Sequence, residues 1–153
     1  MYSHIAVCVD GSENAMRAVS HAVELAKIGL TGASDISEAS DVPEVPAVTV
    51  DLLSVIAVDV YSNMVYDPVA AHGEAQRELV SPAVAAFEEA GITPNLVLLH
   101  GRPAEEIIAF VSSHDVDLLV MGSRGLNAFQ EFAIGSVSHK VLKHVSCPTL
   151  VVK

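Results

Sequence analysis

The chain has 153 residues, 51% of them hydrophobic, which suits one domain with a real core and is short for two. Its formal charge of −11 argues against wrapping a nucleic acid, since neutralising phosphates needs clustered Lys and Arg. No run of about eighteen apolar residues exists to span a bilayer.

Met1 leads directly into Ile5-Ala6-Val7, without a basic n-region, a long apolar stretch or a small-residue cleavage site, so a cytoplasmic protein is expected. Cys8 and Cys147 lie in apolar surroundings and are too few for a disulfide framework; both read as reduced thiols in or near the core. The basic residues are unevenly spread. None falls between Lys27 and Arg77, whereas Arg102, Arg124, Lys140, Lys143 and Lys153 lie in the last third, where a small anionic ligand is plausible.

The elements follow a strand-then-helix rhythm. His4 to Val9 is a short run rich in β-branched residues, which suits a strand buried on both faces, and Asp10-Gly11-Ser12 ends it. Ala15, Ala18, Val19, Ala22, Val23 and Ala26 then recur at helical spacing, with Ser12 as N-cap and Gly29 as a stop. A second strand spans Val48 to Val58 and a helical region runs from about Ala70 to Ala90, kinked or divided by Pro82. Leu96 to Leu99 is the third strand. Pro103 opens the next helix, whose stripe is Ala104, Ile107, Ile108 and Val111 and whose first turn holds Glu105 and Glu106. Leu118 to Met121 is the fourth strand, Ser136 to His144 the last helix, and Thr149 to Val152 the fifth strand. Such alternation predicts an α/β fold, an open three-layer sheet of parallel strands with helices on both faces. Ligands in these sheets bind beyond the carboxyl ends of the strands, where strand order reverses. If strands one and four are neighbours there, Asp10-Gly11-Ser12 and Gly122-Ser123-Arg124-Gly125 face one crevice.

The strongest chemical signal is Gly122-Ser123-Arg124-Gly125, nine residues, then Gly135-Ser136-Val137-Ser138. Glycines permit positive φ and let an anion approach amide hydrogens closely. Ser136 and Ser138 add hydroxyls, Arg124 adds charge, and a helix starting near Ser136 offers free amides and a positive dipole end. The alternative is a plain loop hinge in which Ser136 only caps a helix. A Walker A loop is absent, because no Lys-Ser or Lys-Thr pair follows a glycine. A dinucleotide fingerprint is absent too, since strand one is followed by Gly11 alone. The seven histidines show no HExxH and no Cys/His cluster of zinc spacing, and no GxSxG elbow marks a nucleophile, so no catalytic residue is assigned.

The Gly-x2-Gly-x9-Gly-Ser spacing, the opening Ile5-Ala-Val-Cys-Val-Asp-Gly-Ser12, the stretch Asp117-Leu-Leu-Val-Met-Gly-Ser-Arg-Gly125 and the closing Gly135 to Val152 resemble the universal stress protein family over nearly the whole chain. The resemblance implies strand order 3-2-1-4-5 and, in members with this glycine spacing, ATP (or ADP or AMP) at the ends of strands one and four. It places Gly122, Gly125, Gly135 and Ser136 around the phosphates, with Val137 and Ser138 completing the loop. The resemblance puts Asp10 near the ribose and any Mg2+ that accompanies the nucleotide, which is also ordinary Mg-nucleotide chemistry; without the family match a turn residue bonding its own backbone is an equal alternative to ligation. Val55 matches the position whose backbone meets adenine, although a strand valine is ordinarily core. A homodimer through residues 149–153 is implied, and an apolar edge strand fits it.

One stretch departs from the family pattern: 28–47, with four acidic residues, two glycines and two prolines, reads as a surface insertion or an acidic flap. The expected function is an ATP-binding, stress-response regulator acting as a nucleotide-dependent sensor or switch. A slow ATPase or phosphotransferase, and an interaction module with an empty site, are the alternatives.

Overall fold

The computed structural model describes residues 2–31, 48–57, 68–125 and 134–153. In chain order they form β1 (His4–Cys8), α1 (Glu13–Thr31), β2 (Thr49–Ala57), α2 (Pro68–Glu89), β3 (Asn95–Gly101), α3 (Pro103–Ser113), β4 (Leu118–Gly122), α4 (Ser136–His144) and β5 (Thr149–Val152). All strand pairs are parallel and the order is β3-β2-β1-β4-β5. The α/β architecture and strand order expected from the sequence are therefore present. No described helix is long and apolar enough to cross a membrane.

Alternation along the strands divides the core in two. Ile5, Val7, Val50, Leu52, Leu118 and Val120 join Ala18, Val19, Ala22 and Phe87 on the face covered by α1 and α2. Ala6, Leu53, Leu119 and Met121 join Ile107, Phe110, Val111 and Val141 on the face covered by α3 and α4. A parallel sheet buried on both sides needs such near-continuous apolar strands, and the period-two side-chain direction sorts them.

Two expectations change. Gly29 does not stop α1, which continues to Thr31. A Cβ on Gly29 would lie 2.5 Å from Val48 Cγ2, so this glycine lets the chain entering β2 pass close over the helix. Residues 28–31 thus leave the supposed surface insertion, and 32–47 fall outside the described residues. Pro82 does not divide α2 either. Proline removes the amide that would bond the carbonyl of Glu78, four residues back. The Ser81 hydroxyl donates to that carbonyl at 2.8 Å and satisfies it.

Carboxylates tie the amino ends of the strands together. Asp51 is buried in β2; its Oδ2 lies 2.7 Å from His4 Nε2, and Asn95 Nδ2 donates to its Oδ1 at 2.9 Å. A buried carboxylate without such partners would be costly. Asp117, just before β4, accepts at one oxygen from Ser3 N–H (2.9 Å), Ser3 Oγ–H (2.6 Å) and His4 N–H (2.9 Å). These bonds, those from Ser3 first, hold the Asp117 carboxyl below the usual aspartate range.

A folded-state pKa below the unfolded one gives stability that is present above the unfolded pKa and lost as pH falls through the folded value. Asp117→Ala should therefore cost on the order of 1 kcal/mol at neutral pH, with a cost that shrinks in acid. Urea denaturation of both proteins from pH 7 to pH 2 checks this; a cost that stays constant with pH counts against it.

Candidate functional site

At the opposite, carboxyl end of the sheet, β1 and β4 lie side by side, with Val7 opposite Val120, so the segments that follow them meet. Between them opens a cleft of about 540 Å³, in the range of small-molecule sites. Its described lining contains all nine residues singled out from the sequence: Asp10, Val55, Gly122, Arg124, Gly125, Gly135, Ser136, Val137 and Ser138. It also contains an apolar wall that the sequence reading missed, including Cys8, Leu53, Pro103, Ile107 and Met121. The missed signal was strand alternation: Leu53 and Met121 belong to the α3/α4 face, as does Val55.

Each residue has an identifiable local job. Gly11 takes φ 79°, the left-handed turn that ends β1. Ser12 Oγ accepts from Ala15 N–H at 3.1 Å and caps α1 as expected. Asp10 Oδ1 accepts from Ser12 N–H at 2.9 Å, the local turn bond weighed for it. Asp10 Oδ2 faces the Gly125 segment, for a Cβ on Gly125 would lie 2.8 Å from it. Both roles of Asp10 are thus geometrically compatible, one oxygen for the turn and one toward the cleft.

None of Gly122, Gly125 and Gly135 adopts positive φ, so close packing decides which of them must be glycine. At Gly122 a Cβ would lie 2.9 Å from both the carbonyl carbon and the Cβ of Asn14 and 3.1 Å from Ala15 N. Gly122 therefore lets the first turn of α1 press against the end of β4. Gly135 has room for a side chain, its nearest neighbours being Ser123 O at 3.4 Å and Arg124 Cα at 3.6 Å.

Gly135, not Ser136, is the N-cap of α4, and the helix start carries no side-chain cap. The first amides of a helix have no acceptor within it. The backbone N–H groups of Ser136, Val137 and Ser138 thus form the open positive end of α4 where these residues line the cleft. Ser138 is buried and its hydroxyl donates to Gly122 O at 2.9 Å, so it fastens α4 to β4 and is not a free hydroxyl donor. Three helices begin at the cleft, through Ala15, Pro103 and Ser136. α1 has Glu13 in its first turn and α3 has Glu105 and Glu106, whereas α4 has no acidic residue there. Of these three helices, α4 alone has a dipole uncompensated by carboxylates in its own first turn.

Lys140 Nζ donates to Glu105 Oε1 at 2.6 Å and ties α4 to α3; that bond leads the effects that hold the Glu105 carboxyl below its ordinary value. The Cys8 thiol is pushed up to about 12, first by burial and then by the charge of Asp10. It stays protonated at neutral pH and is a poor nucleophile.

The glycine-serine spacing that lines this cleft is the pattern through which the sequence resembles one family. The universal stress protein family model matches residues 1–153. The chain belongs to the universal stress protein family. Universal stress protein YxiE of Bacillus subtilis is 29% identical over the whole of both chains. Among solved structures, universal stress protein UspA of Lactobacillus plantarum superposes with a TM-score of 0.74 at 23% identity, covering 99% of this chain and 98% of its own. The Archaeoglobus fulgidus universal stress protein in complex with dAMP gives 0.67 at 21% (99% and 98% covered), and an Arabidopsis thaliana family member with AMP bound gives 0.64 at 24% (99% and 91%).

Two glycines of the same loop should respond oppositely to a methyl group. Gly122→Ala should lose about 1–3 kcal/mol through overlap with Asn14, and Gly135→Ala should stay within about 0.5 kcal/mol of the parent. Denaturant midpoints separate them, and equal losses would contradict the packing described.

Proposed function

We propose that this universal stress protein binds an adenine nucleotide in the cleft and acts as a nucleotide-dependent regulator in stress response. The observation that carries the reading is the convergence of nine residues from four separate segments on one cleft, with the uncapped start of α4 at one side. In this reading the phosphates sit on the amides of Ser136, Val137 and Ser138, close to Arg124, as anions sit at helix N-termini generally. The base lies against the aliphatic wall of Val55, Pro103 and Ile107, with the backbone of β2 at its edge. The dAMP and AMP held by the Archaeoglobus and Arabidopsis relatives support adenine as the base, with ATP and ADP as further candidates.

Among the described residues no group of three His, Cys, Asp or Glu could hold a metal ion by itself. The one carboxylate in the described lining, Asp10, fits an ion that arrives with the nucleotide, with phosphate oxygens and water as its main ligands. Mg2+ is proposed in that form only. An ATPase or phosphotransferase needs a group to orient water or an acceptor, and one Asp10 oxygen is already committed to the Ser12 turn. Binding is the better supported activity.

A homodimer through β5 completes the proposal. Leu119 N–H donates to Pro148 O and Ser123 N–H to Val152 O, so the even-numbered residues of β5 face β4. Thr149 and Val151 then turn their N–H and C=O groups to the outer edge, where a second β5 can pair. Val151→Pro removes one outward donor without touching the bonds to β4, and sedimentation should show monomer where the parent shows dimer; unchanged mass would exclude this edge.

For the nucleotide, mass spectrometry of the protein purified without added ligand should identify a retained adenine nucleotide. Gly135 has φ −61° and ψ 157°, a conformation valine accepts. Gly135→Val with Ser136→Ala should therefore abolish calorimetric nucleotide binding while the melting temperature holds. Unaltered affinity would reject the phosphate assignment.

A further inference from the structure

Between Val50 and Ala57, β2 carries two polar residues, Asp51 and Ser54. Asp51 is matched by His4 and Asn95 at the amino end of the strand. Ser54 lies toward the other end, is fully buried, and by strand alternation shares the α1/α2 face with Val50 and Leu52. Gln76 of α2 donates from Nε2 to the Ser54 Oγ at 2.6 Å. One turn later Leu79 packs on the turn that ends β1, for a Cβ on Gly11 would lie 2.7 Å from Leu79 Cδ1. Residues three apart share a helix face. A single turn of α2 is thus fastened both to β2 and to the segment that follows β1.

The end of β2 that Ser54 occupies has lost a neighbour. β1 pairs with β2 as far as Cys8 opposite Leu53, and Val9 N–H still donates to Leu53 O, but β2 runs on to Ala57 with β3 paired along its other side. The N–H and C=O of one residue point to the same side of a strand, and those of the next residue to the other side. Val55 therefore turns its N–H and C=O, like those of Leu53, toward the space that β1 has vacated, where Val55 lines the cleft. A donor beside an acceptor fits the edge of adenine, whose N1 accepts and whose amino group donates; guanine presents the reverse pair.

We propose that Gln76 is a positioning residue for base recognition: acting through Ser54 from behind the sheet, it fixes the projecting end of β2 and with it the Val55 peptide groups that read the base. This rests on the nucleotide reading of the site. The Gln76 bond lies on the α1/α2 face, whereas the Val55 side chain packs with the α3/α4 face, so Gln76 works through the strand and not on the ligand. Apolar contacts around Ser54 persist without the bond, but they are non-directional and set no orientation.

Calorimetry with AMP and GMP on the full chain freed of retained nucleotide tests this. The parent should prefer AMP. Gln76→Met keeps the side-chain length without the donor, and Ser54→Ala removes one oxygen without adding volume, so the packing of at least the second survives. Each should lower the AMP-to-GMP affinity ratio about fivefold, and the double variant should lower it no further, because both substitutions remove the same bond. A merely structural bond would weaken AMP and GMP equally; an unchanged ratio, or a double variant that loses the sum of the two single effects, would overturn the role of Gln76 while the nucleotide site stands. A parent that binds neither nucleotide would remove the site itself, and with it anything for Gln76 to position.

Discussion

Everything at the cleft depends on one pairing. β1 is hydrogen-bonded in parallel to β2 on one side and β4 on the other, so the chain leaving β1 and the chain leaving β4 start as neighbours. They then part, because α1 covers one face of the sheet and α4 the other. The crevice between them is a consequence of topology. Its depth is set by contact between the start of α1 and the end of β4, where only a glycine fits against Asn14. A side chain at position 122 would push the two elements apart and reshape the site from below.

The two ends of the sheet solve opposite problems. At the amino ends every strong acceptor is matched: Asp51 by His4 and Asn95, Asp117 by Ser3 and the His4 amide. Among the described residues no buried side-chain nitrogen or oxygen lacks a partner. At the carboxyl ends the start of α4 is left without a side-chain cap. A capping side chain at position 135 would stabilise the helix over glycine by roughly a few tenths of a kcal/mol, and glycine forgoes that. The same glycine keeps the amides accessible, so the small local loss of stability and the open helix start have one cause.

This contrast explains what could be read from the sequence. The strands were legible because a parallel sheet buried on both faces demands apolar runs, and α4 was legible because Ser136 to His144 carries its valines at helical spacing. The nine residues singled out from the sequence fall together at the cleft because glycine spacing and strand ends are local patterns. Other features depend on partners distant in sequence. Gly29 looks like a helix stop until Val48 is seen beside it, and Pro82 looks like a break until Ser81 is seen to satisfy the carbonyl it leaves open. The Ser138 hydroxyl reads as a free donor until its bond to Gly122 O appears. The apolar wall was missed because the alternation that groups Leu53 and Met121 with Val55 also marks them as core, and only the cleft's position brings them and Ile107 into its lining.

The proposed regulatory role would also require the cleft to be connected to something else, and the hydrogen bonds around Ser123 supply a physical link. The Ser123 carbonyl accepts from Gly135 N–H at 2.7 Å, the residue that opens α4. The Ser123 amide donates to Val152 O at 2.7 Å, in the outermost strand. The start of α4 and the end of β5 are therefore held through one residue, and α4 itself leads back into β5 through Cys147-Pro148. An anion that draws in the α4 amides acts on the peptide that also fixes the sheet edge. Such a link transmits a signal only if the ligand binds two arrangements of it with different free energies, because equal affinity shifts nothing.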